Sequence, residues 1–415
     1  MRTVSSRTRR MTFKGFQMTK LVIYSHCFAP SVGGAETGVM SLATGLATQF
    51  EITVVTNTAA SGFDDRALPF KVVRTPRVIR LMKLISECDI LHIAGPALLP
   101  LLIARVMSKP VVVEHHGYQA VCPNGALLKE PGRTLCVGHF MLGEYRACIR
   151  CQHATSSSYP KSLRSLILTM LRRSLCKRAK NIAISTHVLI RHQLLNTQVI
   201  YYGVRDPFQG TSVTTKQKPP QKVRFAYVGR FVLEKGISVF LKAAHECIDK
   251  GFIFDVLLIG DGPERPSLEQ EIRELGLVPY ARITGFLRGQ DLESALDGIH
   301  VVVMPSVCEE TAGLSAIEHM MRGRLVIASA IGGLGEVVGD GGLTFPPGDH
   351  RRLAEIMALV IEKPGLILQL GAAARTRAVK YFGYLRMLHE HANLYRAALG
   401  IEVKKNGPQI TNVGA

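Results

Sequence analysis

The chain alternates short apolar runs with segments whose apolar residues recur at helical spacing. In the first half the apolar runs are LVIYS, EITVVTN, FKVVRTP, DILHIA, PVVVEHH and NIAIS, and in the second half they are VRFAYVG, FDVLLIG, ARITGF, HVVVMPS and RLVIASA. Helical patterns lie between them, as from Ala35 to about Thr48 and almost throughout from about Asp349 onward. This alternation predicts parallel β-sheets that are covered by helices on both faces.

The alternation is interrupted once, and the interruption divides the chain into two halves of the same plan. The segment 209–222 is polar and contains Pro219 and Pro220, which is typical of a linker. We therefore predict an α/β protein with two doubly wound, Rossmann-like domains that face a central cleft. The predicted parts are a disordered basic extension at 1–18, an N-terminal domain at 19–208, a linker at 209–222, a C-terminal domain at 223–382, a helix at 383–400 that packs back on the N-terminal domain, and a tail at 401–415. Ligands of such sheets bind at the carboxyl ends of the strands, here inside the cleft.

Composition narrows the class of protein. With 415 residues, of which 47% are hydrophobic, the chain can bury two cores. Its longest apolar stretch, Ile93 to Val106, contains two prolines and is shorter than the roughly 18–20 residues that cross a bilayer. The basic start MRTVSSRTRRMTFKGFQM has no apolar core, so we expect no secretory signal. We expect a cytoplasmic, reducing compartment in which thiols stay free or bind metal.

The loop after the first strand of the second half carries two cations. Arg230 directly follows Gly229, and Lys235 lies five residues after Arg230. A guanidinium can bind two phosphate oxygens at once, and an ammonium adds a point charge. The pair therefore predicts a diphosphate site, and two solvated surface charges are the competing interpretation.

Two glycine-containing turns follow later strands of the same half. GDGP, which includes Gly262, follows VLLI, and Gly285-Phe286-Leu287 follows ARIT. The first turn lets the backbone approach a ligand closely, and the second would place backbone polar groups beside a nucleobase. Each turn taken alone also fits an ordinary tight turn.

The string PSVCEETAGLSAIEHMMRG, residues 305–323, carries the strongest signal. Glu310 lies in a loop after a strand, and Glu318 lies eight residues later on a helix. The free N–H groups at the start of that helix belong to Gly313, Leu314 and Ser315. They predict an anion site, and the two carboxylates can accept hydrogen bonds from sugar and ribose hydroxyls.

The first half contains two further strings at strand ends. The loop after the first strand ends in Gly33 and Gly34, which allow the backbone to approach a ligand at a helix start. The strand PVVVEHH ends in His115 and His116, and His116 can point into the cleft. A purely structural histidine is the alternative at both positions, and it is the one we favour for His115.

Together these strings resemble the motifs of retaining GT-B glycosyltransferases, glycosyltransferase family 4 in particular. Residues 305–323 resemble the E-x7-E segment of that family, and GDGP resembles its G-x-G-P turn. Its G-R-x-x-x-x-K-G loop is matched by Arg230 and Lys235, and its G-G-x-x-E element by Gly332-Gly333 and Glu336. The resemblance covers nearly the whole C-terminal half. One departure is Ala312, where many members have an aromatic residue.

The resemblance implies roles for these residues in binding a nucleotide-diphosphate sugar, the donor. It implies that Arg230 and Lys235 hold the diphosphate, that Glu318 binds the ribose and that Glu310 binds the transferred sugar. The implied donor site comprises Gly33, Gly34, Arg230, Lys235, Gly262, Phe286, Leu287, Glu310, Gly313, Leu314, Ser315 and Glu318. The implied catalytic residues are His116, Glu310, Arg230 and Lys235.

The resemblance also implies a division of labour and a reaction course. The C-terminal domain would bind the donor and the N-terminal domain the acceptor, with His116 touching the transferred sugar or the acceptor. The matching family motif continues through Tyr118 and Cys122-Pro123, but Gly117 stands where the family has Asp, which argues against a His–Asp base. Front-face attack is implied, in which the donor phosphate accepts the acceptor proton, so no catalytic divalent metal is expected.

Four cysteines lie in a Pro- and Gly-rich segment of the first half. Cys122, Cys136, Cys148 and Cys151 have the spacing C-x13-C-x11-C-x2-C. The closing C-x2-C has the spacing that commonly supplies two ligands to a tetrahedral zinc site. His139 and His153 could replace one of the cysteines as ligands. A structural zinc ion and four free thiols remain equally open. A subset of family 4 sequences carries a similar cysteine-bearing insertion.

The segment 159–180, YPKSLRSLILTMLRRSLCKRAK, places apolar residues at helical spacing with basic residues between them. The whole chain has a formal net charge of +19, which favours an anionic partner. The segment predicts a helix that lies on an anionic membrane face, or a core helix with a solvated basic back. We favour the membrane, because lipid-linked acceptors are common among the enzymes that the chain resembles.

We therefore predict a retaining glycosyltransferase that moves a sugar from a nucleotide-diphosphate sugar to a glycan or lipid-linked acceptor, in surface polysaccharide or glycolipid synthesis. The predicted location is cytoplasmic, at the inner face of the membrane. A pyridoxal-type phosphorylase would need a Schiff-base lysine, for which there is no clear candidate, and epimerases usually lack E-x7-E in this setting. Nucleic-acid binding rests on charge alone, since no basic motif is interleaved with aromatic residues.

Overall fold

The computed structural model of the chain describes residues 18–31, 33–208 and 218–401. The predicted basic extension lies outside these residues apart from Met18, as does the linker up to residue 217 and the tail from residue 402. Within the described ranges no single helix is long and apolar enough to cross a bilayer. Only the pair 350–362 and 365–381, bent by 109°, passes that test jointly, by length and composition.

The first half forms a sheet of seven parallel strands. These strands are β1 (Lys20–Ser25), β2 (Glu51–Thr56), β3 (Lys71–Arg74), β4 (Ile90–Ala94), β5 (Val111–His115), β8 (Lys180–Ala183) and β9 (Thr197–Val199). Their order is β3-β2-β1-β4-β5-β8-β9, with every neighbouring pair parallel. Two further strands, β6 (Leu128–Lys129) and β7 (Thr134–Leu135), form a small antiparallel hairpin in the cysteine segment. Strands of two or three residues, such as β6, β7 and β9, leave too short a pattern to predict.

Helices cover both faces of this sheet. They are α1 (Gly34–Leu46), α2 (Val78–Glu87), α3 (Leu98–Val106), α4 (Tyr145–Ser156), α5 (Tyr159–Cys176) and α6 (Thr186–His192), with a 3-10 turn at Asp65–Ala67. One apolar core joins α2, α3 and α5 to one face of the sheet. The opposite core joins α1 to the other face. Each helix turns its apolar side to the sheet because that burial removes apolar surface from water.

The second half forms a sheet of six parallel strands. These are β10 (Val223–Val228), β11 (Phe254–Ile259), β12 (Ala281–Gly285), β13 (Val301–Met304), β14 (Leu325–Ser329) and β15 (Leu343–Phe345), in the order β12-β11-β10-β13-β14-β15. The helices that follow them are α7 (Ile237–Asp249), α8 (Arg265–Glu274), α9 (Gly289–Leu296), α10 (Leu314–Met321), α11 (Gly332–Val338), α12 (His350–Glu362) and α13 (Gly365–Tyr381), with 3-10 turns at Leu233–Lys235 and Gly339–Gly341. Two parallel, helix-covered sheets confirm the predicted fold class.

The last helix, α14 (Tyr384–Ala398), lies in the core of the N-terminal sheet and not of the C-terminal one. Its buried Met387, Leu388 and Tyr395 pack with β1 and α1. The chain crosses between the two halves at residue 383, where the Val204 N–H donates to the Phe382 carbonyl (2.8 Å) and the Tyr384 N–H donates to the Val204 carbonyl (3.1 Å). The crossing at residue 383 therefore lies beside Val204, five residues before the start of the predicted linker.

Candidate functional site

A cavity of about 820 Å³ lies between the two halves. Its wall is built from loops at the carboxyl ends of strands in both sheets, as expected for parallel α/β domains. The N-terminal half contributes residues 29–31, Gly33 and the start of α1, together with Phe63, His116 and Tyr202. The C-terminal half contributes residues between Tyr227 and Glu318. Among the predicted site residues, the ones on this wall are Gly33, Gly34, His116, Arg230, Lys235, Phe286, Leu287, Glu310, Gly313, Leu314, Ser315 and Glu318.

Gly262 is the predicted donor residue that does not line the cavity. A β-carbon at this position would lie 2.3 Å from the Phe231 carbonyl oxygen. The glycine therefore allows its loop to pack closely against the loop that carries Phe231. Its neighbours Gly260 and Asp261 line the cavity in its place. The GDGP turn is thus at the site, but Gly262 itself faces protein backbone.

The two cations of the β10–α7 loop differ in their surroundings. Arg230 is exposed, and it follows a strand end whose Tyr227 hydroxyl donates to the Arg230 carbonyl at 2.9 Å. The Lys235 Nζ lies 2.9 Å from Glu310 Oε1, and the Ser306 hydroxyl donates to the same carboxylate oxygen. Arg230 is therefore open to an anionic ligand, whereas Lys235 is held in place by the first carboxylate of the E-x7-E string.

The start of α11 packs against the loop that carries Glu310. A β-carbon at Gly332, where φ is +60°, would lie 2.5 Å from the Glu310 carbonyl oxygen, and the Gly333 N–H donates to that oxygen at 2.6 Å. Only glycine permits this approach together with a positive φ. The Gly332-Gly333 pair therefore positions the Glu310 loop.

The start of α10 faces the cavity at residues 313–315. Gly313 is the N-cap and offers no side-chain partner to the first N–H groups, and the Ser315 hydroxyl donates to the Val228 carbonyl at 3.3 Å. Free amides at a helix start carry partial positive charge and suit an anionic ligand. Glu318 lies one turn further on, open to the cavity but enclosed by its walls, and this burial raises the pKa of Glu318.

Phe286 and Arg288 form a flat, exposed surface at another part of the wall. Phe286 is 53% exposed, and the Arg288 guanidinium lies 4.8 Å from the centre of its ring. A large apolar side chain at a cavity rim is a natural stacking surface for a planar ring. Sequence reasoning assigned Phe286 on its turn alone and did not find Arg288.

On the N-terminal side, His116 is held between a tyrosine and a buried carboxylate. Its Nδ1 lies 2.5 Å from the Tyr202 hydroxyl, the two rings stack at 12°, and its Nε2 lies 3.4 Å from Glu114 Oε2. Glu114 also lies 3.2 Å from His92 Nε2 and 3.6 Å from His391 Nε2. Burial alone would raise the pKa of Glu114, but the histidines, His116 first, hold it well below its usual range.

His115, by contrast, points away from the cavity. Its Nε2 lies 2.9 Å from the Asn181 side-chain oxygen, and burial lowers its pKa to about 4. It is absent from the cavity wall and is fully enclosed. These contacts are those of a neutral, structural histidine.

Two carboxylates of the C-terminal half bind helix α6 of the N-terminal half. Glu309 pairs with His187 (3.1 Å) and with both Nε (2.8 Å) and Nη2 of Arg191. Burial would raise the pKa of Glu309, but His187 and Arg191 lower it to about 2. Glu336 accepts the N–H groups of Thr186 (2.9 Å) and His187 (3.0 Å). These contacts hold the two cavity walls against each other.

The four cysteines and His139 surround one small cavity of about 20 Å³. The Glu130 N–H donates to Cys151 Sγ at 3.3 Å, and the Gly138 N–H donates to Cys136 Sγ at 3.4 Å. Burial, followed by the nearby thiols, raises the pKa of Cys148 to about 12. In the described residues, however, no three or more His, Cys, Asp or Glu side chains are arranged to hold a metal ion.

Several residues of the site were missed by sequence reasoning. Glu114 and Tyr202 give no local signal, because Glu114 meets His92 and His391, and Tyr202 meets His116, only in the folded chain. Glu309 lies beside the recognised Glu310, but its partner Arg191 is on the other domain. Glu336 was found as part of a motif without a role.

Comparison with known proteins finds a family model that matches part of the chain. Residues 222–363 match the family model described as Glycosyl transferases group 1. This segment is therefore similar to glycosyltransferases, which confirms the resemblance that its motifs predicted.

Curated relatives and solved structures extend the likeness. The chain is 35% identical over 182 residues to a 2-deoxystreptamine glucosyltransferase of Streptomyces kanamyceticus, covering 42% of this chain and 46% of that protein. It is 26% identical to the sulfoquinovosyl transferase SQD2 of Arabidopsis thaliana over 76% of this chain and 58% of that protein. The chain thus spans only about half the length of these relatives.

The Anabaena protein HepE, solved in complex with UDP and glucose, superposes with a TM-score of 0.68. Its alignment covers 91% of this chain and 100% of that chain, at 19% identity. At this identity the likeness shows the fold, and the predicted GT-B fold of two Rossmann-like domains is confirmed.

Proposed function

We propose that the protein is a retaining glycosyltransferase that takes its sugar from a nucleotide-diphosphate sugar. The observation that carries this proposal is the single cavity that brings Arg230, Lys235, Glu310 and Glu318 of one domain opposite His116 of the other. Such a cavity can hold a charged donor against one wall and an acceptor hydroxyl against the other. The names of the curated relatives, which are glycosyl-transferring enzymes, support the same class of reaction.

In this proposal the C-terminal wall binds the donor. The diphosphate lies between the exposed Arg230 guanidinium, Lys235 and the free amides at the start of α10, all of which carry positive charge. Glu318 accepts hydrogen bonds from the ribose hydroxyls, and the base stacks on Phe286. The Gly33-Gly34 turn at the start of α1 lies on the opposite wall, where it can cover the diphosphate.

The chemistry transfers one glycosyl group with retention of configuration. The bond between the anomeric carbon and the β-phosphate oxygen breaks, and a bond from the same carbon to the acceptor oxygen forms on the same face. The proton of the acceptor hydroxyl passes to the departing phosphate oxygen. Arg230, Lys235 and the α10 amides stabilise the charge that develops on that diphosphate, which is the largest contribution that fixed groups make in such reactions.

Glu310 and His116 position the transferred sugar in this scheme. Glu310 is fixed by Lys235 and Ser306, so its carboxylate can orient sugar hydroxyls without reorganising. His116 is fixed by Tyr202 and Glu114 at the opposite wall. Because the two cations neutralise the leaving group, we expect no catalytic divalent metal.

The acceptor that we propose is a hydroxyl of a glycan or a lipid-linked intermediate of surface polysaccharide or glycolipid synthesis. The N-terminal wall contains Phe63 and Tyr202 as well as His116, so it offers a sugar ring both apolar surface and a polar group. We propose a cytoplasmic location for the enzyme, and the nine cysteines, none of which forms a disulfide, are consistent with such a reducing compartment.

A donor screen by thermal unfolding tests the proposal. UDP-glucose is tried first, followed by other UDP-, GDP- and ADP-sugars, on the wild type and on Glu318→Ala and Lys235→Ala. A ligand of the folded state stabilises it by about 2.7 kcal/mol at a hundredfold excess over its Kd. We expect a rise in melting temperature with one nucleotide class, reduced in both variants.

The matched control is Lys222→Ala, a lysine at the opposite end of β10 that pairs with Asp255. It should leave the donor response unchanged. If no nucleotide sugar raises the melting temperature of the wild type, the proposed donor site is wrong. Proton NMR of the product formed with the responding donor tests retention, and an inverted anomeric coupling would contradict it.

A further inference from the structure

Helices α2, α3 and α5 lie next to one another on one face of the N-terminal sheet. Their inner sides join one core with the sheet, through residues such as Leu81, Ile103 and Leu175. Helix α3 contacts both α2 and α5. Their outer sides therefore form one surface, which we call the three-helix face.

Large apolar side chains project from all three helices of this face. The exposed ones are Val78, Ile79, Met82, Leu99, Leu102, Val106, Tyr159, Leu163, Ile167 and Leu171. Ile79 is 82% exposed and Val106 is 83% exposed. On α5 the exposed residues recur every four positions and form one stripe along the helix. Apolar residues grouped in this way mark an interaction surface, whereas scattered ones do not.

The same helices are strongly basic. They contain seven lysines and arginines and a single acidic residue, Glu87. The exposed basic residues are Arg80, Lys83, Arg105, Lys161 and Arg164. The other two, Arg172 and Arg173, are half-buried and donate to the carbonyls of Gln119 and His192. Arg77 just before α2, and Lys177 and Arg178 just after α5, are exposed and add to the charge. The partner of this face must therefore be both apolar and anionic.

We propose that the three-helix face docks on the surface of an anionic lipid bilayer. The exposed leucine, isoleucine and valine side chains enter the boundary between headgroups and acyl chains, and the basic residues bind lipid phosphates. A second copy of the chain fits less well, because two basic faces would repel each other. Nucleic acid fits less well because the exposed apolar residues are mainly aliphatic and offer little surface for stacking bases.

The topology links this surface to the cavity. Helices α2 and α3 directly follow the parallel strands β3 and β4, so they begin at the carboxyl edge of the sheet, where the cavity lies. Helix α5 follows α4 and ends four residues before β8, so its end lies near the amino edge of the sheet and its start lies toward the carboxyl edge. Val78, Leu99 and Tyr159 lie in the first turn of their helices. A bilayer on the three-helix face would thus approach the acceptor wall. This last consequence rests on the proposed function, whereas the docking itself does not.

Vesicle flotation of the full chain tests the docking. Vesicles of phosphatidylcholine alone are compared with vesicles that also contain phosphatidylglycerol, at low and at high salt. We expect binding only with phosphatidylglycerol and weakened by salt. The double variant Ile79→Glu, Ile167→Glu should bind at least about tenfold more weakly, because two buried aliphatic side chains are lost from the contact. Lys161→Gln with Arg164→Gln should reduce the preference for the anionic lipid.

The matched control is Ile253→Glu with Val278→Glu, two residues of the C-terminal domain that are 68% and 63% exposed. It should float like the wild type. The proposal is overturned if the wild type does not bind at low salt, or if the Ile79→Glu, Ile167→Glu variant binds equally well. It is also overturned if that variant instead dissociates a wild-type dimer, or abolishes binding to RNA, while flotation is unchanged. Flotation needs no donor, so its failure leaves the donor-induced thermal shift as a separate result.

Discussion

The two walls of the cavity are built in different ways. On the C-terminal wall the groups that face the ligand are exposed and lie on loops and one helix start, as with Arg230 and Phe286. On the N-terminal wall a single imidazole, His116, reaches the cavity, and it rests on a buried carboxylate shared with two other histidines. The residues of the C-terminal wall can thus be predicted from short sequence motifs. The arrangement of the N-terminal wall depends on contacts that form only when the chain folds.

The largest effect should come from removing an exposed cation of the donor wall. Arg230→Ala should lower kcat by about 10²–10³-fold, the range for loss of one fixed group that stabilises developing charge. Steady-state kinetics with the responding donor measures it. Arg224→Ala, an exposed arginine at the amino end of β10 near Asp255, is the matched control. An unchanged kcat in Arg230→Ala would show that Arg230 does not stabilise the charge that develops on the leaving diphosphate.

The next effect concerns the four-cysteine cluster of the N-terminal half. The four cysteines of the described residues are not arranged around a metal ion as they stand, but they share one cavity and two of them accept backbone N–H groups, so we propose that they rearrange to bind a structural zinc ion. Elemental analysis of the purified chain should then find about one zinc per molecule, lost in the Cys148→Ser, Cys151→Ser variant. Cys247→Ser, a buried cysteine of the other domain, is the control. Zinc-free protein with the same melting temperature would establish four free thiols.

A smaller effect tests the buried carboxylate of the acceptor wall. Glu114→Gln should lower kcat by about 10- to 100-fold, because His116 loses the charge that orients it, while the KM for the donor stays unchanged. The pH profile of kcat should shift as well, since His92, His116 and His391 all face this group. Glu51→Gln, exposed at the amino end of β2, is the control. A raised donor KM with normal kcat would assign Glu114 to the donor side instead.

The smallest effect concerns the contact between the walls. Glu309 has its pKa lowered from 4.5 to about 2, so its contribution to stability is complete above pH 4.5 and is lost as the pH falls toward 2. The difference in unfolding free energy between the wild type and Glu309→Gln should therefore be constant at neutral pH and shrink in acid. Denaturant unfolding at several pH values measures it, with the exposed Glu362→Gln as control. A difference that grew in acid would contradict the sign.

The difference between the two walls explains how much of the fold and of the site could be predicted from the sequence. Strand and helix positions followed from local periodicity, and the predicted donor residues, most of which line the cavity, came from strings whose members lie within a few residues of one another. The contacts behind the N-terminal wall could not be predicted, because the residues that make them are far apart in the sequence. The Tyr395 hydroxyl, for example, lies 2.9 Å from His92 Nδ1, although 303 residues separate them. Gly262 shows that a local motif can also mislead. The motif predicted that Gly262 binds the donor, but the backbone of Phe231 occupies the place where its β-carbon would lie.

Helix α14 carries a practical consequence for anyone who wishes to divide this protein. Because Met387, Leu388 and Tyr395 complete the core of the first sheet, a fragment that stops after residue 208 would leave that core uncovered. The two halves are therefore interleaved in sequence although separate in space. A separately expressed amino-terminal unit should need residues 384–398 supplied as a peptide, or fused by permutation, before it becomes soluble and cooperative in unfolding.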